Sequence, residues 1–497
     1  MQDLLFHLTR DGDLTLQVQL REALVRAILD GHVPANKPLP SGRQLAKRLG
    51  LARNTVVSVY QRLVDEGYLL SKPRSGYYVN REILNLRTRT ASQPRTQAMF
   101  GPKWETRFQS TPSTEPNVQK PRRWQDYQFP FIYGQVDQAL FPVTEWRECS
   151  RQATSAAAIR GWASDGVDAD DPLLIEQIRT RILPRRGIWA EAEEILITVG
   201  AQHALFLLAS LLVGRQTEVA MENPGYPDVR NMFKSISDAV RTVPVDAEGV
   251  DGHAIPEGID YLYVTPSHQY PTTVTMSMER RNLLLSRASA DDFVIIEDDY
   301  ESEFNYAEEP TPALKSLDTN ERVLYVGSLS KTLAPGLRLG FLVAPQDVVR
   351  EARALRRLMV RHPPANNQRA VALFLSQGHH EMHVRRLHQA YQSRWERMHA
   401  ALEAHLPGAS RAPMFGGSAF WVAGPKDCNA LVLAERLRRQ DVLIEPGGVT
   451  YADPHPPLNF FRLGFSSIAE ELIDEGIARI RACIDELTEE GRRALQP

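Results

Sequence analysis

No apolar run in this chain approaches the roughly 18–20 residues needed to span a bilayer, which excludes a helical membrane anchor. The opening stretch MQDLLFHLTRDGDL has acids where a secretory signal needs a cationic and then an apolar segment, so export is not expected. Cysteine is scarce. Cys149, Cys428 and Cys483 are odd in number and far apart, which excludes a disulfide framework or a zinc knuckle. A reducing cytoplasm is the expected compartment. Internal repeats are lacking as well. What remains is an ordinary soluble composition, 43% hydrophobic and 24% charged, spread over 497 residues. That length is too great for a single core, so several domains are expected.

The net charge of −3 hides an asymmetry. Residues 1–80 carry +4 and residues 81–125 carry +6, which leaves −13 for the rest. A basic head on an acidic body points to a polyanion partner at the N-terminal end alone.

Leu16, Leu20, Leu24 and Ile28 recur at helical spacing up to Asp30-Gly31. After the loop PANKPLP, Ser41 can cap a short helix, GRQLAKRL, that Gly50 closes. ARNTVVSVYQRLVDE gives a third helix, and YLLSKPRSGYYV reads as two strands around Pro73-Arg74-Ser75-Gly76. From residue 81 to 128 the periodicity fails, and TRTASQPRTQ and STPSTEPNVQKPRRW read as a basic flexible linker. Beyond it, EILITVG, EVAMEN, IDYLYVTP, DFVIIEDDY, RVLYVGS and LGFLVA are strand-like runs separated by helical or loop segments. Such alternation predicts a mainly parallel, helix-covered sheet. One long amphipathic segment, PANNQRAVALFLSQGHHEMHVRRLHQAYQSRWERMHAALEAHL, should join it to a smaller C-terminal lobe.

The second and third helices have helix-turn-helix proportions, in which N-terminal side chains of the second meet base edges or phosphates. Arg43, Arg53, Asn54 and Thr55 stand at the mouths of these helices, and Arg74, Ser75 and Gly76 form the hairpin tip. LPSGRQLAKRLGLARNTVVSVYQRLVDEGYLLSKPRSGYYV resembles the winged helix of GntR-type bacterial repressors. Ala52 departs from the usual serine, removing the expected cap of the recognition helix.

The body carries a second set of chemistry. Pyridoxal phosphate needs a lysine for a Schiff base, an acid at its pyridine nitrogen and a phosphate cup. An amino-acid ligand also needs a carboxylate fork, which arginine supplies. Lys331 lies in GSLSKTLAPGLRLGF with Ser328 and Ser330 before it and Arg338 seven residues after. Gly200, Ala201 and Gln202 stand where a strand meets a helix, so their N–H groups can take phosphate. Asp298 and Tyr300 end a strand, suiting the pyridine nitrogen and the 3′-oxygen. Tyr226 in NPGYP suits ring stacking, and Arg462 in FFRLGF suits a carboxylate.

In order and wording these segments resemble fold-type I aminotransferases over about residues 129–490, and the whole chain resembles the MocR/GabR regulators. The resemblance implies a multidomain protein. An N-terminal α+β winged helix-turn-helix (1–80) and a linker (81–128) would precede an α/β aminotransferase-like body (129–497), whose small α+β lobe spans about 375–497. It further implies pyridoxal 5′-phosphate as cofactor, double-stranded operator DNA as partner, and a head-to-tail, domain-swapped homodimer. The expected function is a transcription regulator that senses an amine or amino acid by aldimine exchange at Lys331. An active aminotransferase with an accessory DNA-binding domain is the alternative. Effectors from GABA and taurine to D-amino acids, diamino acids and the cofactor itself stay open.

Three departures are notable. Thr273 replaces a usual glycine and must strain the turn if that position has φ > 0. WASDGVDADDPLLIEQI replaces a usual Tyr-x-Asp-x-x-Gly, so the effector-pocket loop is expected to be remodelled. Val136 stands where proline is usual.

Overall fold

The computed structural model describes residues 8–9, 14–82, 102–306, 311–410 and 416–494. Part of the expected linker, including TRTASQPRTQ, lies outside the described residues. The chain divides into two compact units, Met1–Gln109 and Ser110–Pro497.

In the first unit, α1 (Leu16–Leu29), α2 (Gly42–Leu49) and α3 (Arg53–Asp65) precede the hairpin β1 (Leu69–Lys72) and β2 (Gly76–Val79). Leu20, Leu24, Val56, Val59 and Leu63 are fully buried, and each such side chain contributes about 1.5–3 kcal/mol by leaving water. Ser41 and Gln44 close a reciprocal capping box on α2, whose end is set by Gly50 in the left-handed conformation. Tyr60 donates to the Pro40 carbonyl at 3.0 Å, tying α3 to the approach of α2.

The second unit is built on an eight-stranded sheet. Its strands are β4 (Ile195–Thr198), β5 (Val219–Asn223), β6 (Val240–Asp246), β7 (Gly249–Val250), β8 (Tyr261–Val264), β9 (Val294–Asp299), β10 (Val323–Ser328) and β11 (Gly340–Val343). Their spatial order is β4-β11-β10-β9-β8-β5-β6-β7. The centre is parallel, whereas β11 runs antiparallel to both β10 and β4 and β7 antiparallel to β6. The sheet is therefore mixed. The sequence signalled six of these strands. It hid β6 because VRTVPVD holds a proline and buries only Val243 fully.

The long amphipathic segment is two helices. Gly378, at φ +78°, separates Ala365–Ser376 from His379–His405. The smaller lobe contains the sheet β12 (Ala419–Ala423), β15 (Phe460–Gly464) and β14 (Glu445–Pro446) in that order. A second pair joins β13 (Val442–Leu443) to β3 (Phe129–Pro130) in parallel. Phe129 and Phe131 are fully buried in the same core as Phe461, Ile473 and Ile480. The first strand of the body thus crosses into the last lobe, which brings the next residues, Tyr133 and Gly134, to the junction of the two lobes.

Ala52 makes no side-chain cap hydrogen bond at the start of α3. Ala52→Ser is expected to stabilise the N-terminal unit by about 1 kcal/mol, read as a raised denaturant midpoint for that unit; an unchanged or lower midpoint contradicts the capping account.

Candidate functional site

Nine of the ten residues expected around the cofactor converge on one cavity of about 340 Å³: Ala201, Gln202, Tyr226, Asp298, Tyr300, Ser328, Ser330, Lys331 and Arg338. The tenth, Gly200, stands behind its wall. Gly200 has φ +76°, and a Cβ there would lie 3.1 Å from a guanidinium nitrogen of Arg338. Arg338 itself adopts φ +50° and donates to the Val199 carbonyl at 3.3 Å. The absence of a side chain at Gly200 thus lets a guanidinium lie against the first turn of the helix Ala201–Leu212. Free N–H groups and a cation meet there, as a phosphate requires.

Asp298 is the penultimate residue of the central strand β9 and is buried. Its Oδ2 accepts from Tyr263 at 2.8 Å, while its Oδ1 has no partner. Burial pushes this carboxyl up to about 7, against the Tyr263 hydrogen bond that favours the charge. One strand over, Lys331 follows β10, and its Nζ sits 4.2 Å from the centre of the Tyr133 ring. Desolvation lowers the Lys331 ammonium to about 8, opposed first by Glu301. Ser330 Oγ is also buried without a partner.

These groups fit a phosphorylated pyridine aldehyde. A buried carboxylate oxygen awaits a donor, an amine with a weakened hold on its proton stands in the same cavity, and a cationic helix terminus lies beside it.

Arg462, on β15, does not line the cavity directly. It stacks 3.7 Å from the centre of the Tyr133 ring and 4.6 Å from that of Tyr270, both of which do. It is fully buried, and none of its guanidinium nitrogens finds a well-aligned acceptor. Tyr226, Tyr270, Tyr300 and Tyr133 form an aromatic cluster around it, with ring centres 5.1–6.5 Å apart where they touch. Tyr300 is oriented by donating to the His268 carbonyl at 2.6 Å.

Several residues of the site escaped the sequence reading. Tyr133, Tyr263 and Tyr270 carry no local motif. Glu301 follows Tyr300 directly, and its Oε1 accepts from Ser418 while its Oε2 is buried without a partner. Burial raises this carboxyl above the usual range. Lys120 was assigned to a flexible linker; it lines the cavity and pairs with Glu445 at 3.1 Å. The main-chain oxygen of Pro116 also accepts from Asn231 at 2.9 Å. A lone lysine in a Ser/Thr/Pro-rich stretch gave no signal for either contact.

Thr273 is fully buried at φ +63°, the region favourable to glycine, so the strain anticipated at this turn is present. Among the described residues none of the segment Trp162–Asp171 lines this cavity. Its acids are drawn away by arginines: Asp165 pairs with Arg361, buried Asp170 with Arg353 and Arg356, and Asp171 with Arg369.

In the other unit, Arg43 lies in α2, and Arg53, Asn54 and Thr55 open α3. Arg43, Arg53 and Asn54 are exposed and Thr55 half-buried. Arg74, at φ +60°, shares the exposed hairpin tip with Ser75 and Gly76.

Two family models match the chain. "Bacterial regulatory proteins, gntR family" covers residues 16–79, and "Aminotransferase class I and II" covers residues 134–480. The HTH-type transcriptional regulator TauR of Rhodobacter capsulatus is 43% identical over 96% of this chain and 98% of its own. A probable rhizopine catabolism regulatory protein, MocR, of Rhizobium meliloti is 29% identical over 97% of each. Among solved structures, the α-aminoadipate aminotransferase LysN of Thermus thermophilus, complexed with N-(5′-phosphopyridoxyl)-L-leucine, superposes with a TM-score of 0.69. It is 26% identical and covers 78% of this chain and all of its own.

An unpaired buried guanidinium is a cost that stacking on two tyrosines offsets only in part. Arg462→Met is therefore expected to stabilise the ligand-free protein by about 1 kcal/mol, measured as a higher denaturation midpoint. A clear loss of stability would mean that Arg462 already has its partners.

Proposed function

The chain belongs to the MocR/GabR subfamily of GntR-type regulators, and on that footing we propose that its aminotransferase-like body senses an amine or amino acid through a pyridoxal phosphate site and passes the result to operator DNA. The observation that carries this reading is Arg462, a buried guanidinium without a well-aligned acceptor, set among tyrosines that share the cavity of Lys331.

Pyridoxal phosphate supplies an aldehyde that joins a primary amine and a ring that draws electrons from it. With that group bound, Lys331 would be the residue that holds its aldehyde carbon, and an effector's amine would compete with Lys331 for it. The lowered proton affinity of Lys331 favours the neutral amine that this requires. Asp298 would stand at the ring nitrogen and Tyr300 at the 3′-oxygen. Tyr226 would cover the ring, while Arg338, Ser328, Ser330 and the N–H groups of Gly200, Ala201 and Gln202 would hold the phosphate. Arg462 takes the effector's acid group as a bidentate fork.

Arg43, Arg53, Asn54 and Thr55 reach bases or phosphates of the major groove, with Arg74, Ser75 and Gly76 at the wing. A homodimer, each head against its partner's body, would read two half-sites. Such a regulator works in the cytoplasm, where the DNA is.

Binding alone changes nothing at the DNA. The effector must favour one arrangement of the body over another, and a coupling of about 1–3 kcal/mol gives roughly 5- to 150-fold in operator affinity.

Purified protein supplied with pyridoxal phosphate is expected to be yellow, to lose that absorbance irreversibly with borohydride, and to stay colourless as Lys331→Ala. Amines with and without an acid group are then titrated, following the visible spectrum and binding to DNA upstream of the protein's own coding sequence. A panel member should change both together. Arg462→Met should lose the response to those bearing an acid while still taking up the cofactor. Steady turnover of an amino donor with a 2-oxo acid would overturn the sensor reading in favour of an enzyme, and failure to take up the cofactor would overturn both.

A further inference from the structure

Lys120 belongs to the segment that joins the N-terminal unit to the sheet, upstream of every strand of the body. It enters the cavity nonetheless. Its Nζ donates to the Tyr133 carbonyl, pairs with Glu445 Oε1 at 3.1 Å and lies 5.6 Å from the centre of the Tyr133 ring. Glu445 is buried and accepts from the Tyr133 N–H at 3.3 Å, so the lysine and the strand-edge residue are bound to the same carboxylate.

Gly134 decides how close this cation comes to the reactive one. With φ +73°, it presents a bare Cα at the point where a Cβ would lie 2.8 Å from Lys331 Nζ and 3.8 Å from Lys120 Nζ. Two amines from distant parts of the chain therefore border one vacant position.

We propose that Lys120 is a positioning residue for Lys331: clamped by Glu445 and the Tyr133 carbonyl, it sets a second positive charge beside the cavity that favours the neutral amine on Lys331. Two like charges in a poorly solvated cavity disfavour each other, so the group freer to lose its proton does so. Lys120 is bound to the Glu445 carboxylate, whereas Lys331 has no such ion pair among the described residues. Arg462 acts in the same sense, whereas Glu301, Asp298 and Glu445 act against it. Arg338 and Asp228 line the same cavity. Tyr133, Tyr270 and Tyr300 are neutral, because burial raises them above the usual range. His268, lowered to about 4 by burial, is neutral too.

The consequence concerns signalling. The cation that tunes the reactive amine sits on the very segment leading to the DNA-binding head. Any change of charge at Lys331 alters the hold on that segment, and by reciprocity displacement of the segment alters Lys331.

This inference rests on the cofactor reading above, and one experiment separates the two. Pyridoxal phosphate is added to cofactor-free full-length protein, and its uptake is followed by visible absorbance across pH 6–10. Lys331 is protonated below about 8 and free above it, so uptake by the natural protein should rise through about pH 8. In Lys120→Met the midpoint should move up by about 0.5–2 pH units, the Coulomb range for unit charges roughly 6 Å apart at effective dielectrics of 80 to 20. Glu445→Gln leaves Lys120 uncompensated and should move it down. Lys120→Arg, which keeps the charge, should restore the natural midpoint. A merely structural lysine would not give shifts of opposite sign from the two halves of one ion pair. Midpoints that stay in place in both Lys120→Met and Glu445→Gln, with uptake retained, overturn the inference and leave the cofactor reading intact. Absence of uptake by the natural protein at any pH overturns both.

Discussion

The second unit depends on keeping ionisable groups in a space that has little water to offer them. Asp298, Glu301 and Arg462 are all buried and incompletely satisfied, and Lys331 turns its amine toward the same space. Such burial is costly unless charges are paired or hydrogen-bonded. Elsewhere in this unit buried charges are at least partly paired: one oxygen of Asp299 takes Arg186 and Tyr325 at 2.7 Å each, and Glu222 takes the Thr265 hydroxyl at 2.6 Å. Buried atoms without a partner remain in several places, the other oxygen of Asp299 and two nitrogens of Arg356 among them. Around the Lys331 amine they are one carboxylate oxygen of Asp298, one of Glu301 and the whole guanidinium of Arg462, groups to which a bound ligand would supply the missing partners.

The sheet explains how so many demands meet at one place. β9 and β10 run parallel as neighbours, and Asp298 and Lys331 lie at and just beyond their C-terminal ends. β11 turns back antiparallel between β10 and β4, which places Arg338 at its entry beside the turn that follows β4. Ligands of open α/β sheets bind outside the carboxyl ends of the strands, where connections diverge. The smaller lobe supplies Arg462 from β15 and Ser418 from the approach to β12. Because β3 belongs to that lobe's core, Tyr133 arrives from it as well.

Much of this was legible in the sequence because its signals are local. Gly200 before a helix, the serines before Lys331 and the strand ending at Asp298 each state a backbone requirement together with a chemistry. The Ser41 cap of α2 and the tip of the wing were legible for the same reason, though the reciprocal bond from Gln44 was not read. What could not be read were pairings over hundreds of residues. Tyr133 meets Arg462 and Lys120 meets Glu445 only because the first residues of the body fold onto its last lobe, and neither pair has a spacing to recognise. The acids of Asp165–Asp171 are another such case: Asp165 pairs with Arg361, Asp170 with Arg356 and Asp171 with Arg369, some two hundred residues on.

The division of the cavity between lobes bears on why such a body serves regulation. A ligand changes an equilibrium only by the difference in its affinity for the two states. In the proposed reading the amine of an effector would be met from the large lobe by Lys331 and its acid group from the small lobe by Arg462. A molecule with both groups would then be held fully only when the lobes are in register, whereas a simple amine would engage one of them. Tyr133 lies within 4.2 Å of the Lys331 amine and 3.7 Å of the Arg462 guanidinium, so the two sites share a wall. The same residue's main chain holds the segment from the N-terminal unit through Lys120. Tyr133 thus touches the Lys331 amine, the Arg462 guanidinium and, through Lys120, the segment that leads back to the N-terminal unit, so it is the residue through which the two sites and that segment are in contact.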